Sequence, residues 1–190
     1  MDIDGNSYPV VTIGVQHWMA ANLRTTRYRD STLIAHVTDN AGWISSSGKW
    51  CNYDNNSSYD ATYGKLYNWY AAANPDICPL GWHVPTDAEW TQLSDTLEEA
   101  IAGGKLKDTE FWNAPNTDAT NESGFTGRPG GARSGGDGAF YGVGDYGFWW
   151  SASEDVPINA WARELYFDGG SIGRMELSEY HGFCVRCLQD

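Results

Sequence analysis

The stretch Cys78-Pro79-Leu80-Gly81-Trp82-His83-Val84-Pro85-Thr86-Asp87-Ala88-Glu89-Trp90 frames the reading of the whole chain. Thr86 is a good N-cap and Glu89 stands three residues later, the reciprocal pattern in which each side chain satisfies a backbone amide of the other at a helix start. Beyond it Trp90, Leu93, Leu97 and Ile101 recur on one helical face, and Gly103-Gly104 is expected to stop the helix. Upstream, Leu66, Trp69, Tyr70 and Ala73 predict another helix over 62–73, ended by Asn74-Pro75.

On either side of this helical centre the pattern changes to that of strands. Residues 8–13 and 16–19 alternate apolar and polar positions around Gly14-Val15, which predicts an N-terminal hairpin. Near the other end 148–153, 160–167, 172–177 and 182–188 read as β-rich runs, with Asp168-Gly169-Gly170 supplying the positive φ of a tight turn. Residues 30–60 are expected to be ordered loop anchored by aromatic side chains, and the forty irregular residues after 105 either a functional loop region or short strands. No internal repeat and no linker divides the chain, so residues 1–190 are read as a single α+β domain.

Composition narrows the function classes. At 190 residues, 41% hydrophobic and 14% aromatic, the chain is suited to a packed core. Its net charge of −13 argues against nucleic acid, whose phosphates need Lys and Arg to displace counterions. No apolar run approaches the roughly 20 residues of a membrane span, so no membrane insertion is expected. The start, Met1-Asp2-Ile3-Asp4-Gly5, lacks a basic stretch followed by an apolar one, so any export signal is read as removed or never present.

Several linked motifs in fixed order carry a resemblance: Asp4-Gly5-Asn6-Ser7-Tyr8, Trp18-Met19-Ala20-Ala21-Asn22-Leu23, Tyr63-Gly64-Lys65-Leu66-Tyr67-Asn68-Trp69, the stretch 78–90, Asn121-Glu122-Ser123-Gly124-Phe125 and Gly182-Phe183-Cys184-Val185-Arg186-Cys187. Together they resemble the Fibrobacter succinogenes major paralogous domain. That resemblance implies a C-type-lectin-like fold, with neighbouring termini and two helices beside a twisted antiparallel sheet under long irregular loops. It also implies an extracellular or cell-surface location. Sulfatase-modifying enzymes of the same broad fold have a helix start similar to Pro85 through Trp90. Their activity is not implied, because their cysteine pair upstream of the terminal Gly-Phe motif has no counterpart here.

Four cysteines, Cys51, Cys78, Cys184 and Cys187, lack the spacing of a zinc site. Cys184 and Cys187, three apart on one expected strand, point to opposite faces, which leaves two complete long-range pairings. The resemblance favours Cys78 with Cys187 and Cys51 with Cys184, the family commonly having Ser where Cys184 stands. Cys184 is thus either a partner for Cys51 or a buried free thiol.

Among sites, the oxygen-rich run 113–124 places Asn116, Asp118, Asn121 and Glu122 as ligands of the type a structural Ca²⁺ takes; the alternative is an Asn-rich loop bonding its own backbone. Neither sugar-chelating triplet of calcium-dependent lectins, Glu-Pro-Asn or Gln-Pro-Asp, occurs. His83 reads as a hydrogen-bonded structural residue, and Gly130-Gly131 as turn glycines rather than a phosphate loop. Trp43, Trp50, Trp112 and Trp161 are expected to be freer to face solvent than the other tryptophans.

Period two along 160–168 sends Leu165 and Phe167 to one face of the last sheet, and Glu164, Tyr166 and Asp168 to the other. With Glu154, Asn159, Trp161, Arg174, Glu176 and Tyr180 the latter are expected to form one outward ligand-binding patch. The function read from this is a non-catalytic binding module of an exported or surface protein, recognising a protein or glycan. Two alternatives stand beside it. One is a retroelement-diversified receptor-binding protein, to whose variable region the last segment is similar. The other is an enzyme of the sulfatase-modifying-like fold, which would need a polar pocket near the glycine-rich loops at 127–138.

Overall fold

The computed structural model describes residues 1–190. In chain order the elements are β1 (Val10–Ile13), β2 (Gln16–Met19), β3 (Ala35–His36), α1 (Asn40–Trp43), β4 (Lys49–Cys51), α2 (Asp60–Tyr63), β5 (Leu66–Tyr67), α3 (Trp69–Ala72) and β6 (Trp82–His83). They continue with α4 (Asp87–Thr96), α5 (Glu99–Leu106), β7 (Gly130–Arg133), β8 (Phe140–Val143), β9 (Tyr146–Val156), β10 (Asn159–Tyr166), β11 (Gly173–Ser178) and β12 (Leu188–Gln189). Three sheets result: β1-β2-β12-β6, β11-β10-β9-β7-β8 and the small β3-β4-β5. The architecture is mixed α+β, mostly sheet, with few helices.

The N-terminal hairpin forms as its pattern dictates, with Ile13 opposite Gln16 and Val11 opposite Trp18. Gly14 adopts φ 60 at the turn, a conformation with a steric cost for side chains but not for glycine. β2 then pairs with the C-terminal β12, so the two ends of the chain lie in one sheet. α4 starts on the complete reciprocal cap, Thr86 Oγ1 accepting from Glu89 N while the Glu89 carboxylate accepts from Thr86 N at 2.8 Å.

Three segments depart from the pattern of the sequence. The helix expected over 62–73 is split into α2, β5 and α3. Gly64, at φ 76, ends α2, and Asn68 holds the next residues extended: its Oδ1 accepts from Lys49 N at 2.8 Å and its Nδ2 donates to Ser47 O at 2.7 Å. A tertiary anchor thus overrides helical periodicity. The helix expected to run from Trp90 through Ile101 breaks at Glu98, at φ 67, and α5 continues through Gly103 and Gly104 instead of stopping there. Those glycines allow close approach, because a Cβ on either would collide with the backbone of Ser171 or Asp118. Ile101, off the stripe after the break, is exposed.

Residues 182–188 form no continuous strand. Phe183 exchanges backbone hydrogen bonds with Tyr67, and Cys184 bonds Phe148 and Trp150. The carbonyls of Val185 and Cys187 accept from Leu23 and Met19. Each residue serves a different neighbour, so the segment is a seam between the sheets rather than a ladder of one of them.

Two apolar clusters flank the five-stranded sheet. One gathers Trp18, Trp43, Trp90, Phe125, Trp149 and Leu165; the other Tyr67, Phe148, Trp150, Ala162 and Phe183. Trp43 and Trp112 belong to the first cluster, not to solvent as expected, because their indole N–H groups reach the carbonyls of Tyr180 and Gly127 and their rings fill the loop interior. Trp50 and Trp161 are partly exposed.

Cys78 and Cys187 form a disulfide, while Cys51 and Cys184 are free buried thiols of the first cluster. The Cys51–Cys184 pairing is therefore corrected to the other alternative, a thiol packed as a small apolar group. Cys184 Sγ donates to Tyr63 O at 3.5 Å.

Candidate functional site

The strands that carry the expected patch divide it. Trp161 lies opposite Glu176 and Arg163 opposite Arg174, all on the face turned toward α4, together with Asn159. There the Arg174 guanidinium stacks 3.5 Å over the Trp161 ring and donates to Asp87, which also accepts from Arg163 at 2.8 Å. Burial alone would raise the Asp87 carboxyl, but its bonds to Arg174 and Arg163 outweigh this and hold it below the usual carboxylate range. Arg163 and Arg174 thus tie the sheet to the helix through Asp87, while Arg174 and Glu176 stay exposed and Asn159 and Trp161 partly so.

Glu164 and Tyr166 sit on the opposite face, and Glu164 is only 4% exposed, contrary to its expected outward position. The alternation is intact; the sheet is covered on both faces, so leaving the Leu165 side no longer means meeting water. Tyr166 donates its hydroxyl to Glu164, and burial holds the Glu164 carboxyl above the ordinary range against that bond. Around it stand Tyr146, 5.7 Å from the Tyr166 ring and 5.8 Å from Phe148, and Tyr141, 6.2 Å from Phe148. Tyr146 and Tyr166 are half-buried and Tyr141 is exposed, so this end of the sheet presents phenol edges over one buried carboxyl.

The remaining patch residues are scattered. Glu154 is exposed near the β9–β10 turn and Asp168 beyond the end of β10, while Tyr180 packs on Tyr70, 5.7 Å away. The oxygen-rich run does not converge either. Asn121 bonds Thr126 and Asn116 donates to Asp108 O. Glu122 pairs with Lys105 at 3.3 Å, and Asp118 lies against Gly170. No three His, Cys, Asp or Glu groups gather at a metal-binding distance. His83 bridges Asp190 at 2.7 Å and Glu89 at 3.0 Å, tying the last residue to the α4 cap.

A concavity lies elsewhere, with little local signal in the sequence. A groove of about 530 Å³ opens between the β1–β2 hairpin, α2 and residues 124–128, and three arginines, Arg24, Arg128 and Arg186, reach it. Arg186 is buried: its Nε donates to Asn22 Oδ1 at 2.6 Å, and its Nη atoms to the carbonyls of Met19, Phe125 and Thr126. Lacking a carboxylate among these partners, its guanidinium is pushed down by burial to about 9. Only the order of Gly182 through Cys187 hints at it, since an arginine between two buried cysteines must find its acceptors inside.

No curated protein matches this chain. The model of the Fibrobacter succinogenes major domain matches residues 11–189, from the first hairpin to the last strand, and the chain belongs to that family.

Proposed function

We propose that this chain is a non-catalytic binding module with the C-type-lectin-like fold, exported or surface-displayed, which recognises a protein or glycan through the tyrosine-lined end of its five-stranded sheet. The observation that carries the reading is Glu164: a buried carboxyl with a tyrosine hydroxyl as its hydrogen-bond partner, under three partly exposed tyrosine rings on paired strands. Phenol rings offer rigid area with a polar handle, and the carboxyl offers an acceptor or, protonated, a donor to a ligand hydroxyl. Chain ends sharing one sheet support the lectin-type scaffold, and the Cys78–Cys187 bridge suits an oxidising compartment.

Binding to an immobilised glycan array tests this reading, with Tyr146→Ala and Glu164→Gln beside the parent chain. The expected result is a glycan signal that both substitutions weaken at least tenfold. Glu164→Gln should at the same time raise the melting temperature at pH 7, by removing a buried carboxyl that has no cationic partner. A folded-state carboxyl pKa above its unfolded value costs stability as pH rises through that range, so the gain should vanish at pH 4. Array binding that both variants retain, or turnover of a bound glycan by the parent, overturns the proposal.

A further inference from the structure

The arginine groove has a charge character opposite to that of the chain. Acidic side chains outnumber basic ones 25 to 12, yet the walls carry three arginines and no carboxylate. Of the groove arginines only Arg128 faces a carboxylate, Asp108, whereas most of the chain's other arginines do: Arg27 pairs with Asp4, Arg29 with Asp76, and Arg163 and Arg174 with Asp87. Within the groove Arg186 is spent on carbonyls and on Asn22. Arg128 gives its Nε to Asp108 at 2.8 Å and its Nη1 to Thr62 O at 3.1 Å, leaving Nη2 uncommitted. Arg24 engages its backbone amide with Tyr8 Oη, while its guanidinium takes part in no ion pair or hydrogen bond.

The walls between these cations are made of small groups. Ala20, Ala21 and Ala61 line the groove, and Gly64 and Gly124 both hold positive φ there. A volume of this size holds a small organic molecule rather than a bare ion. Guanidinium forks fit the paired oxygens of a carboxylate, and partial shielding from water strengthens the contact. One uncommitted guanidinium and one spare Nη2 match a single negative charge. A dianion would meet the repulsion of a chain at −13 with too few donors to offset it.

We propose that this groove is a binding site for a small organic carboxylate, whose oxygens meet Arg24 and Arg128 Nη2 and whose body lies on Ala20, Ala21 and Ala61. The site is separate from the tyrosine face and does not depend on it.

An NMR titration of the ¹⁵N-labelled full chain tests the proposal, with sodium glucuronate and sodium benzoate as carboxylate probes and glucose and inorganic phosphate as controls. At least one carboxylate should shift the amides of Ala21 and Gly124 and the Arg128 Nε–H saturably, while glucose shifts none of them. Arg24→Gln, which breaks no side-chain hydrogen bond or ion pair, should weaken that binding at least tenfold. Ala61→Trp, filling the groove, should abolish it with the rest of the spectrum unchanged. The proposal is overturned if neither carboxylate moves these signals, if phosphate alone does, or if Arg24→Gln binds as tightly as the parent.

Discussion

Helix α4 and the loop region 105–130 sit side by side in the same core and are held by opposite means. α4 is specified locally, by a cap and an apolar stripe that place Trp90 and Leu93 inside. The loop region has no period. It is ordered by buried cations that reach several backbone carbonyls at once, most of them distant in sequence: Lys107 Nζ donates to Thr117, Tyr166 and Gly169, and Arg186 to Met19, Phe125 and Thr126. Arg133 does the same for Val37, Thr38 and Gly138, stacked on Trp43 at 4.4 Å. A loop in the interior must find donors for its carbonyls, and a long cationic side chain supplies several at once.

The contrast can be broken at several strengths. The largest effect is expected from Cys78→Ser with Cys187→Ser: the bridge spans 109 residues, and its loss should cost about 4–5 kcal/mol in the chain-entropy view, read by urea unfolding. Next, Arg186→Met removes the guanidinium donors of three carbonyls, while Asn22 Oδ1 keeps the Trp149 indole N–H at 2.8 Å, for about 3–4 kcal/mol. Arg186→Lys, with fewer donors, should recover only part of that. Lys107→Met should cost about 2–3 kcal/mol, with hydrogen-exchange protection lost first around Thr117 and Gly169. Thr86→Ala, an attack on the locally specified helix, should cost only about 1 kcal/mol. Equal losses for Thr86→Ala and Arg186→Met would erase the distinction.

The smallest effect is a pH dependence at the α4 cap. Burial pulls the His83 imidazole down, but its hydrogen bonds to Asp190 and Glu89 outweigh this and set it above the usual 6.5. Its contribution is therefore complete below the unfolded value and fades as pH rises through the folded one. Because the ring is 34% exposed, the change between pH 6 and 8 should be a few tenths of a kcal/mol. His83→Gln should flatten it in paired thermal melts.

Legibility followed the same division. The N-terminal hairpin, the capped start of α4 and the strands β9 to β11 could be read because their signals lie within a few residues of where they act. The role of Gly103-Gly104 could not, since glycines at a helix end and glycines at a close approach look alike until Ser171 and Asp118 are placed beside them. Glu164 was misplaced for a related reason: alternation says which residues share a face, not whether a second layer covers that face. The arginine groove was all but hidden, Arg186 between the cysteines its one local sign and its walls coming from residues 7 to 186.

Two thiols left out of the one bridge make an intact molecule chemically quiet and an opened one reactive. Burial holds Cys51 and Cys184 up to about 12, so at neutral pH neither attacks a disulfide while the core is closed. Once the core opens, both become ordinary nucleophiles next to a chain that already carries an exchangeable sulfur pair. Heating in air should then scramble the bridge and make denaturation one-way, whereas the same melt at pH 4, where thiolates vanish, should reverse on cooling. The seam that closes the fold is also the place where damage to it would become permanent.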